Sequence, residues 1–477
     1  MADKQKVNYW KTFLIGCGFL GSMVVWSIYD PYVTTLLDEK LTLSPFIIDL
    51  SAGLTKKFPF LLELMKAQLG EEKAKDAGFT LVPLFIGFIM TFDNIFGVIF
   101  QPLFGKLSDR THSRFGKRRP FVFVFAPLSA MLFVLIPRMQ TVPALMLCII
   151  AFVFFMSLWR SPVMSLMPDL TPPHLRSEAN SVISITGGLG AFIGLMAGKV
   201  LSSIYKHTNS NIQVRESVFV LGALCVVVGT IVLALFVHEK DSRILKGETD
   251  SAIDLRYRRK KEHEKFAKIK LSADERKSLL FMMASLFFLF IGTNSITTFF
   301  ALFAKEVLHK EPEEATFMLA AFLGAGLFGA ILAGKWGKKY GRKRVILSGL
   351  CSFIVIFIMF VIVTPYTNEN QLKILIWPVL IIGGLSSMLI NVNTLPLVWS
   401  IGGIEKVGTF TGYYYTATFS GQVAAPILYG VVRVLTGTYM SLFGFCTIAF
   451  VLALLCITRV HHGEAIPDEA ALQAEET

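Results

Sequence analysis

The chain has 477 residues, of which 53% are hydrophobic and only 17% are charged. This balance excludes an ordinary water-soluble protein, whose surface could not keep so many apolar side chains in contact with water. The net charge of +12 could indicate a nucleic-acid partner. However, the basic residues fall in short segments between alternate apolar runs, as in the cytoplasmic loops of membrane proteins. The sequence therefore predicts contact with membrane lipid and no nucleic-acid partner.

Apolar runs of about 20 residues recur along the whole chain, and a helix needs this length to cross a bilayer. The period-2 alternation of a membrane barrel does not occur, so the predicted fold is all-α and integral to the membrane. Twelve transmembrane helices are predicted. In chain order they are 11–37, 80–104, 121–137, 142–167, 181–205 and 217–238, then 278–303, 316–333, 345–363, 375–400, 409–432 and 440–458.

The runs form two sets of six, and this predicts four regions of the chain. An N-terminal six-helix lobe covers 1–238 and carries an extracellular insertion at 38–78; a cytoplasmic linker covers 239–277; a C-terminal six-helix lobe covers 278–459; and a cytoplasmic tail covers 460–477. Lysine and arginine counts place both termini and the linker in the cytoplasm. An amphipathic piece at 58–65 could form a lid over the substrate entrance or lie on the membrane interface.

Two loops carry the same pattern of glycine and basic residues. The loop from Gly105-Lys106 to Gly116-Lys117-Arg118-Arg119 is echoed by the loop from Gly334-Lys335 to Gly341-Arg342-Lys343-Arg344, roughly 225–229 residues later. Parallel repeats of six spans are typical of two-lobed secondary carriers. The echo therefore indicates a transporter built from two related halves.

The first of these loops predicts a cytoplasmic latch. A glycine allows two helices to approach closely, and an aspartate can accept charge-assisted hydrogen bonds from arginines or cap a helix. If such contacts form only when the two halves are closed on the inside, they gate the carrier; the alternative is a simple topology anchor. The candidate gating residues in this loop are Gly105, Asp109, Arg110, Arg114, Gly116, Arg118 and Arg119.

The spacing of this loop resembles a known family. The stretch Gln101-Pro102, Gly105, Ser108-Asp109-Arg110 and Arg114-Phe115-Gly116-Lys117-Arg118-Arg119-Pro120 is similar to that of the major facilitator superfamily, in its sucrose-transporter-like and glycoside-pentoside-hexuronide:cation symporter branch. Further matching stretches are Trp26-Ser27-Ile28-Tyr29, Pro31-Tyr32-Val33, Arg160-Ser161-Pro162, Pro168-Asp169-Leu170, Asn391-Val392-Asn393-Thr394-Leu395-Pro396 and Gly408-Thr409-Phe410-Thr411-Gly412-Tyr413-Tyr414. The resemblance implies a bacterial member with a two-lobed fold, alternating access and cation-coupled sugar uptake. It also adds Asp169 to the gating residues.

Charged residues inside predicted spans are candidate functional groups, because burying a charge in the membrane is costly. Asp93 follows Thr80 by about thirteen residues, which places it about 20 Å along the helix. By resemblance, Phe92-Asp93-Asn94-Ile95 matches the first carboxylate of the cation site in related symporters. The second carboxylate of that site would lie one turn later, where this sequence has Gly97. Because one acid of the pair is missing, the sequence favours H⁺ over Na⁺ as the coupling cation. Asp93 could instead be a structural partner.

Arg160 lies at a similar depth in the fourth predicted span. It can be the charge partner of Asp93, a substrate ligand as the resemblance to sucrose carriers implies, or an arginine that reaches to the interface. Asp30, beside Trp26 and Tyr29, combines an acid with an aromatic platform, the pattern that suits a sugar ring. These residues are the predicted coupling and substrate site of the N-terminal half.

In the second half, the candidate substrate residues are the amides Asn294, Asn391, Asn393 and Gln422. An amide both donates and accepts, which suits sugar hydroxyls, but a lone amide can equally bond to a neighbouring helix. The six cysteines all fall inside apolar runs without metal-ligand spacing. No phosphate loop, zinc spacing or nucleophile elbow occurs in a supporting context, so neither an enzyme nor a cofactor is expected.

The predicted function is import of a sugar or glycoside by symport with a cation. A disaccharide is the favoured substrate, and H⁺ is favoured over Na⁺. The protein is predicted to be a monomer in the bacterial inner membrane. The alternatives within the same fold are a Na⁺-linked carrier of lysolipids or other amphiphiles and a drug exporter.

Overall fold

A computed structural model describes residues 8–60, 63, 66, 79–111, 113, 115–171, 176–208, 213–237, 272–402 and 407–462. Several predicted features lie outside these residues: Arg114, half of the amphipathic piece 58–65, most of the linker 239–277 and the tail beyond 462. The side chain of Asp109 is also outside the described set.

The described residues form fourteen α-helices in the following order. They are α1 (Tyr9–Thr42), α2 (Pro45–Lys57), α3 (Val82–Met90), α4 (Phe92–Arg110), α5 (Arg119–Leu135), α6 (Val142–Leu170), α7 (Arg176–Thr208), α8 (Val214–Phe236), α9 (Ala273–Val307), α10 (Pro312–Tyr340), α11 (Arg342–Val363), α12 (Glu369–Gly402), α13 (Val407–Thr436) and α14 (Ser441–Thr458). Short 3₁₀ turns follow α5 at Ile136–Arg138 and α11 at Thr364–Tyr366.

Twelve helical stretches are long and apolar enough to cross a membrane, with α3 and α4 together forming the second of them. This confirms the predicted number and type of spans. Large apolar side chains on these helices remain on the outside of the molecule, such as Leu147 and Ile185, each 70% exposed, and Phe328, 71% exposed. Exposed apolar side chains on many long helices require a hydrocarbon environment. The protein is therefore a multi-pass membrane protein.

Some helix ends differ from the predicted bounds because capping groups extend the helices past the apolar runs. At the start of α1, the Lys11 amide donates to Asn8 Oδ1 over 3.0 Å, so the helix includes the polar residues before the first run. At the start of α9, Ser272 and Glu275 form a capping box. α9 therefore begins at Ala273, inside the stretch predicted as linker.

The chain divides into two compact units. Unit 1 comprises the described residues within 1–48, 89–255 and 311–317, and unit 2 comprises those within 49–88, 256–310 and 318–477. Each unit thus includes a short stretch from the other predicted lobe, so the proposed lobe boundaries stay a prediction.

In unit 1, α1 packs closely against α7 and α8 at small residues. A Cβ atom added to Gly190 would lie 2.5 Å from the Leu20 carbonyl oxygen, and one added to Gly229 would lie 2.7 Å from that of Cys17. Neither distance is possible for a real side chain, so glycine sets the separation of these helices.

In unit 2, backbone contacts of the same kind join α9 to α13 and α10 to α12. A Cβ atom on Gly421 would lie 2.5 Å from the Phe287 carbonyl oxygen, and one on Gly329 would lie 2.8 Å from that of Leu385. Gly324 has nothing within 4 Å of such an atom, so it does not lie on the face of α10 that packs against α12.

Candidate functional site

Asp93 lies at a local irregularity of the second span. α3 ends at Met90 and α4 begins at Phe92, so Asp93 occupies the first turn of α4. Its Oδ1 accepts hydrogen bonds from the backbone N–H of Asn94 over 2.6 Å and from the side-chain Nδ2 of Asn94 over 2.9 Å. Asn94 thus orients the carboxylate from the same helical turn, a role that the sequence did not predict.

α1 contributes three predicted site residues at helical spacing. Trp26, Tyr29 and Asp30 are related by i, i+3 and i+4, which places them on one face of the helix. The Trp26 and Tyr29 rings meet edge to face with their centroids 5.3 Å apart. Phe152 of α6 completes the aromatic group, with its ring centroid 5.4 Å from Tyr29 and 6.2 Å from Trp26. Phe152 carries no distinguishing signal in the sequence, because it is one phenylalanine among many.

Arg160 joins this group from α6. Its Cζ lies 5.6 Å from the centroid of the Trp26 ring, a cation–π geometry. It interacts electrostatically with both Asp93 and Asp30, and the two carboxylates interact with each other. In the described part of unit 1, however, Arg160 forms no direct salt bridge with either carboxylate. The structure therefore brings the five predicted residues into one cluster without closing an Asp93–Arg160 pair.

Three polar atoms of this cluster are buried and have no hydrogen-bond partner within the described residues: Trp26 Nε1, Tyr29 OH and Arg160 Nε. A buried donor without a partner costs about 1–3 kcal/mol, so such groups are uncommon in a stable protein. A ligand rich in hydrogen-bond acceptors could satisfy all three. The cluster is therefore chemically equipped to bind a polar, hydroxylated molecule.

The four amides of the second half occupy different environments in unit 2. Asn393 Nδ2 donates to the carbonyl oxygens of Ala333 (3.2 Å) and Leu389 (3.0 Å), so this amide joins α12 to α10. Asn391 Nδ2 donates to Ser387 Oγ over 3.2 Å within α12. Asn294 Oδ1 is buried without a partner among the described residues, and Gln422 is half-buried in α13. Of the four, Asn294 has the unmet hydrogen bond that a ligand could supply.

The predicted gating residues of the first loop meet within unit 1. Arg118 Nε pairs with Asp169 Oδ2 at 2.9 Å, and its Nη1 donates to the Gly105 carbonyl oxygen at 3.0 Å and to Ser108 Oγ. This arginine therefore ties the end of α4 to the end of α6. A Cβ atom at Gly105 would lie 2.9 Å from Ser161 Oγ, so α4 and α6 are close together at this glycine.

The remaining described gating candidates differ in their local structure. Arg119 Nη2 donates to the Ala234 carbonyl oxygen of α8 over 2.5 Å. Gly116 has a φ angle of 112°, which an L side chain rarely adopts, so glycine is required at this turn. Arg110 lies in the last turn of α4.

The second loop repeats these contacts within unit 2. Arg342 Nη1 donates to the Pro396 carbonyl oxygen (3.1 Å) and Ser400 Oγ (3.0 Å) of α12, and Lys343 Nζ donates to the Val460 carbonyl oxygen (2.6 Å) after α14. Arg118 and Arg119 contact the ends of the fourth and sixth spans, and Arg342 and Lys343 contact those of the tenth and twelfth. The sequence repeat therefore corresponds to a repeat of contacts.

In the described residues, no group of three or more His, Cys, Asp or Glu side chains is arranged to hold a metal ion.

A model of the Major Facilitator Superfamily matches residues 12–426 and 282–472. The chain belongs to the Major Facilitator Superfamily. Its fold and family are those of membrane transporters.

Solved structures of this superfamily share the fold over almost the whole chain. The D-xylose-proton symporter matches with a TM-score of 0.62 and 16% identity over 94% of this chain and 96% of that chain. A bacterial homologue of the human lysosomal transporter Spinster, in its inward-facing and unoccupied conformation, matches with a TM-score of 0.64 and 12% identity over 97% of this chain and 100% of that chain. At these identities the likeness shows the fold alone.

A curated relative matches a shorter part of the chain. Multidrug resistance protein 2 of Bacillus subtilis (strain 168) is 25% identical over 159 residues, which are 33% of this chain and 38% of that protein. The matched segment therefore spans well under half of that relative's length. The drug-resistance role in that relative's name applies to that protein alone.

Proposed function

We propose that this superfamily member imports a sugar or glycoside, favouring a disaccharide, together with H⁺. The observation that carries the proposal is the cluster of Trp26, Tyr29, Asp30, Asp93 and Arg160, in which three buried polar atoms have no partner among the described residues. Sugar recognition needs an aromatic surface for the C–H face of the ring and polar groups for its hydroxyls. This cluster offers both.

Within this proposal, Trp26 and Tyr29 provide the aromatic surface, and Asp30 accepts hydrogen bonds from sugar hydroxyls. Asp93 is the coupling carboxylate, because it is a lone acid in a span and Gly97 takes the place of a second acid one turn later. Arg160 responds to the charge of Asp93, since the two interact electrostatically without a direct salt bridge. Protonation of Asp93 would release Arg160 to interact with the substrate.

The wider assignment is supported by the resemblance of one loop. We propose, from the resemblance of the loop from Gln101 to Pro120, that the protein is a member of the sucrose-transporter-like or glycoside-pentoside-hexuronide:cation symporter branch. The proposal includes a monomer in a bacterial inner membrane with both termini in the cytoplasm. Asn294 is the preferred substrate residue of unit 2, since its Oδ1 is buried without a partner in the described structure. The Arg118–Asp169 pair lies within unit 1, so within this proposal it holds the first gating loop in position.

A second candidate function is drug export. It is favoured by the partial match to Multidrug resistance protein 2, which covers 33% of this chain. An arginine over a tryptophan ring is also compatible with an aromatic drug. The buried unpartnered donors favour a sugar over an apolar drug, because an apolar ligand would leave their hydrogen bonds unmade.

Uptake into proteoliposomes separates the two functions. We expect labelled maltose or sucrose to accumulate when the outside is acidic, and accumulation to collapse when a protonophore removes the gradient. No uptake across a panel of mono- and disaccharides, combined with export of a lipophilic drug, would replace the sugar proposal with the second one. Accumulation that follows a Na⁺ gradient and ignores pH would overturn the choice of H⁺.

Asp93→Asn tests the coupling role directly. The variant should lose gradient-driven accumulation but keep sugar exchange between the two sides, because its amide cannot carry the proton while the rest of the cluster stays intact. Asp49→Asn is the matched control, since Asp49 is an exposed acid on α2. This variant should transport normally. Unchanged accumulation in Asp93→Asn would remove Asp93 from the mechanism.

A further inference from the structure

A cavity of about 490 Å³ lies at the end of unit 2 where α9 begins and α14 ends. It is separate from the candidate transport site, and neither the family nor the proposed function assigns it a role. Phe281 is one of its seven lining residues, and the other six have polar side chains: Asp274, Lys277, Ser278, Arg459, His461 and His462.

Specific contacts hold the walls of this cavity in place. The segment after α14 folds back onto α9: the His461 amide donates to Ser278 Oγ over 3.3 Å, and His462 Nδ1 lies 3.0 Å from the same oxygen. Arg459 packs over the ring of Phe281, with its Cζ 5.5 Å from the ring centroid. These contacts place the guanidinium group beside the first turns of α9.

The charges at the cavity favour an anion. Lys277 and Arg459 each carry a positive charge, whereas Asp274 is the single acid in the lining. The planar guanidinium of arginine matches the oxygens of a phosphate group, and the histidine rings add further hydrogen-bonding nitrogens. A phosphate group is therefore the chemical class that this cavity fits best.

The position of the cavity points to a lipid as the source of that phosphate. Leu280, three residues after Lys277, is 69% exposed, and Leu455, four residues before Arg459, is 56% exposed. The apolar surface that faces lipid tails therefore starts about one helical turn from the basic groups. Basic side chains at this boundary lie at the depth of phospholipid headgroups.

We propose that the cavity between the start of α9 and the end of α14 binds the phosphate group of an anionic membrane phospholipid. The binding would fix the start of α9, the first helix after the linker, to the end of the last helix. It does not depend on which substrate the transporter carries.

Native mass spectrometry of the full-length protein in neutral detergent tests the proposal with phosphatidylglycerol as the probe. We expect the double variant Lys277→Gln, Arg459→Gln to bind phosphatidylglycerol about tenfold more weakly than the wild type, because two charge-assisted contacts to phosphate are lost. The matched control is Lys56→Gln, Lys57→Gln, which removes two exposed charges from α2 and should leave the affinity unchanged.

Two further arms fix the identity of the ligand. Zwitterionic phosphatidylethanolamine should lose less affinity than phosphatidylglycerol in the double variant, because its ammonium group offsets the charge of its phosphate, and inorganic phosphate at millimolar concentration should not displace phosphatidylglycerol. Displacement by inorganic phosphate would assign the cavity to a free anion and overturn the lipid. An equal loss of phosphatidylglycerol in the control variant would reduce the effect to overall charge and overturn the site.

If the double variant has a lower thermal unfolding midpoint, Lys277→Gln alone provides the readout, because Lys277 is exposed and its replacement leaves the Arg459–Phe281 contact in place. A threefold or greater loss of phosphatidylglycerol affinity in this single variant supports the site. Wild-type affinity in the single variant overturns it.

Discussion

At the scale of single residues, the proposed substrate and coupling cluster combines opposite charges with unmet hydrogen bonds. Asp30, Asp93 and Arg160 interact electrostatically, and Arg160 lies over the Trp26 ring without a direct salt bridge to either acid. One cation thus faces two carboxylates in a low-dielectric setting, where removing the cation leaves both acids without a compensating charge. This arrangement makes the stability of unit 1 sensitive above all to the loss of Arg160.

The stability of charge variants tests this coupling without knowledge of the substrate. Arg160→Gln should lower the thermal unfolding midpoint by roughly 2–5 °C, since both carboxylates lose their nearby cation. The double variant Arg160→Gln, Asp93→Asn should recover at least half of that loss, because it removes one of the stranded acids. Losses that simply add, measured by thermal unfolding in detergent, would show that the two groups are not coupled.

At the scale of elements, small residues decide how closely the helices pack. α10 offers an internal comparison: an added Cβ atom would lie 2.8 Å from the Leu385 carbonyl oxygen at Gly329, but would have nothing within 4 Å at Gly324. Both glycines lie in the same helix and have the same backbone conformation. They differ only in what each one faces.

Alanine substitutions on α10 should therefore separate packing from helix propensity. Gly324→Ala should be neutral or slightly stabilising, by about 0.5–1 kcal/mol, because alanine is the better helix former. Gly329→Ala should destabilise by about 1–3 kcal/mol, since α10 must move away from α12 to make room. The two variants are compared by thermal unfolding, and equal midpoints would contradict the α10–α12 packing.

At the scale of the whole molecule, the two halves of the sequence build the same local contacts. Arg118 and Arg119 bind the ends of the fourth and sixth spans, while Arg342 and Lys343 bind the ends of the tenth and twelfth. Because such basic loops mark the cytoplasmic side of a membrane protein, both loops are expected on one face of the membrane. The insertion 38–78, which contains α2, is expected on the other face.

Thiol labelling of intact cells tests this topology. In a functional background without native cysteines, Lys56→Cys on α2 should react with a membrane-impermeant maleimide from outside. Lys338→Cys in the last turn of α10 should react only after permeabilisation, because the positive loops face the cytoplasm. The opposite labelling pattern would invert the proposed orientation.

The sequence alone determined the number of spans and the repeat of basic loops, and it named five residues that the structure brings together: Trp26, Tyr29, Asp30, Asp93 and Arg160. These features follow from local properties: the length of an apolar run, the spacing of Trp26, Tyr29 and Asp30 on one helix, and the cost of charges such as Asp93 in a membrane. Each can be judged from neighbouring residues in the chain, without knowledge of what lies across from them.

Only the tertiary structure decided which side chains meet. It added Phe152 to the cluster, kept Arg160 out of direct contact with Asp93, and used the Asn393 amide to join α12 to α10. These outcomes depend on the rotation and separation of packed helices, which contacts such as Gly190 against Leu20 set. A hydropathy pattern fixes that a helix crosses the membrane, but the face it turns toward each neighbour is a property of the assembled bundle.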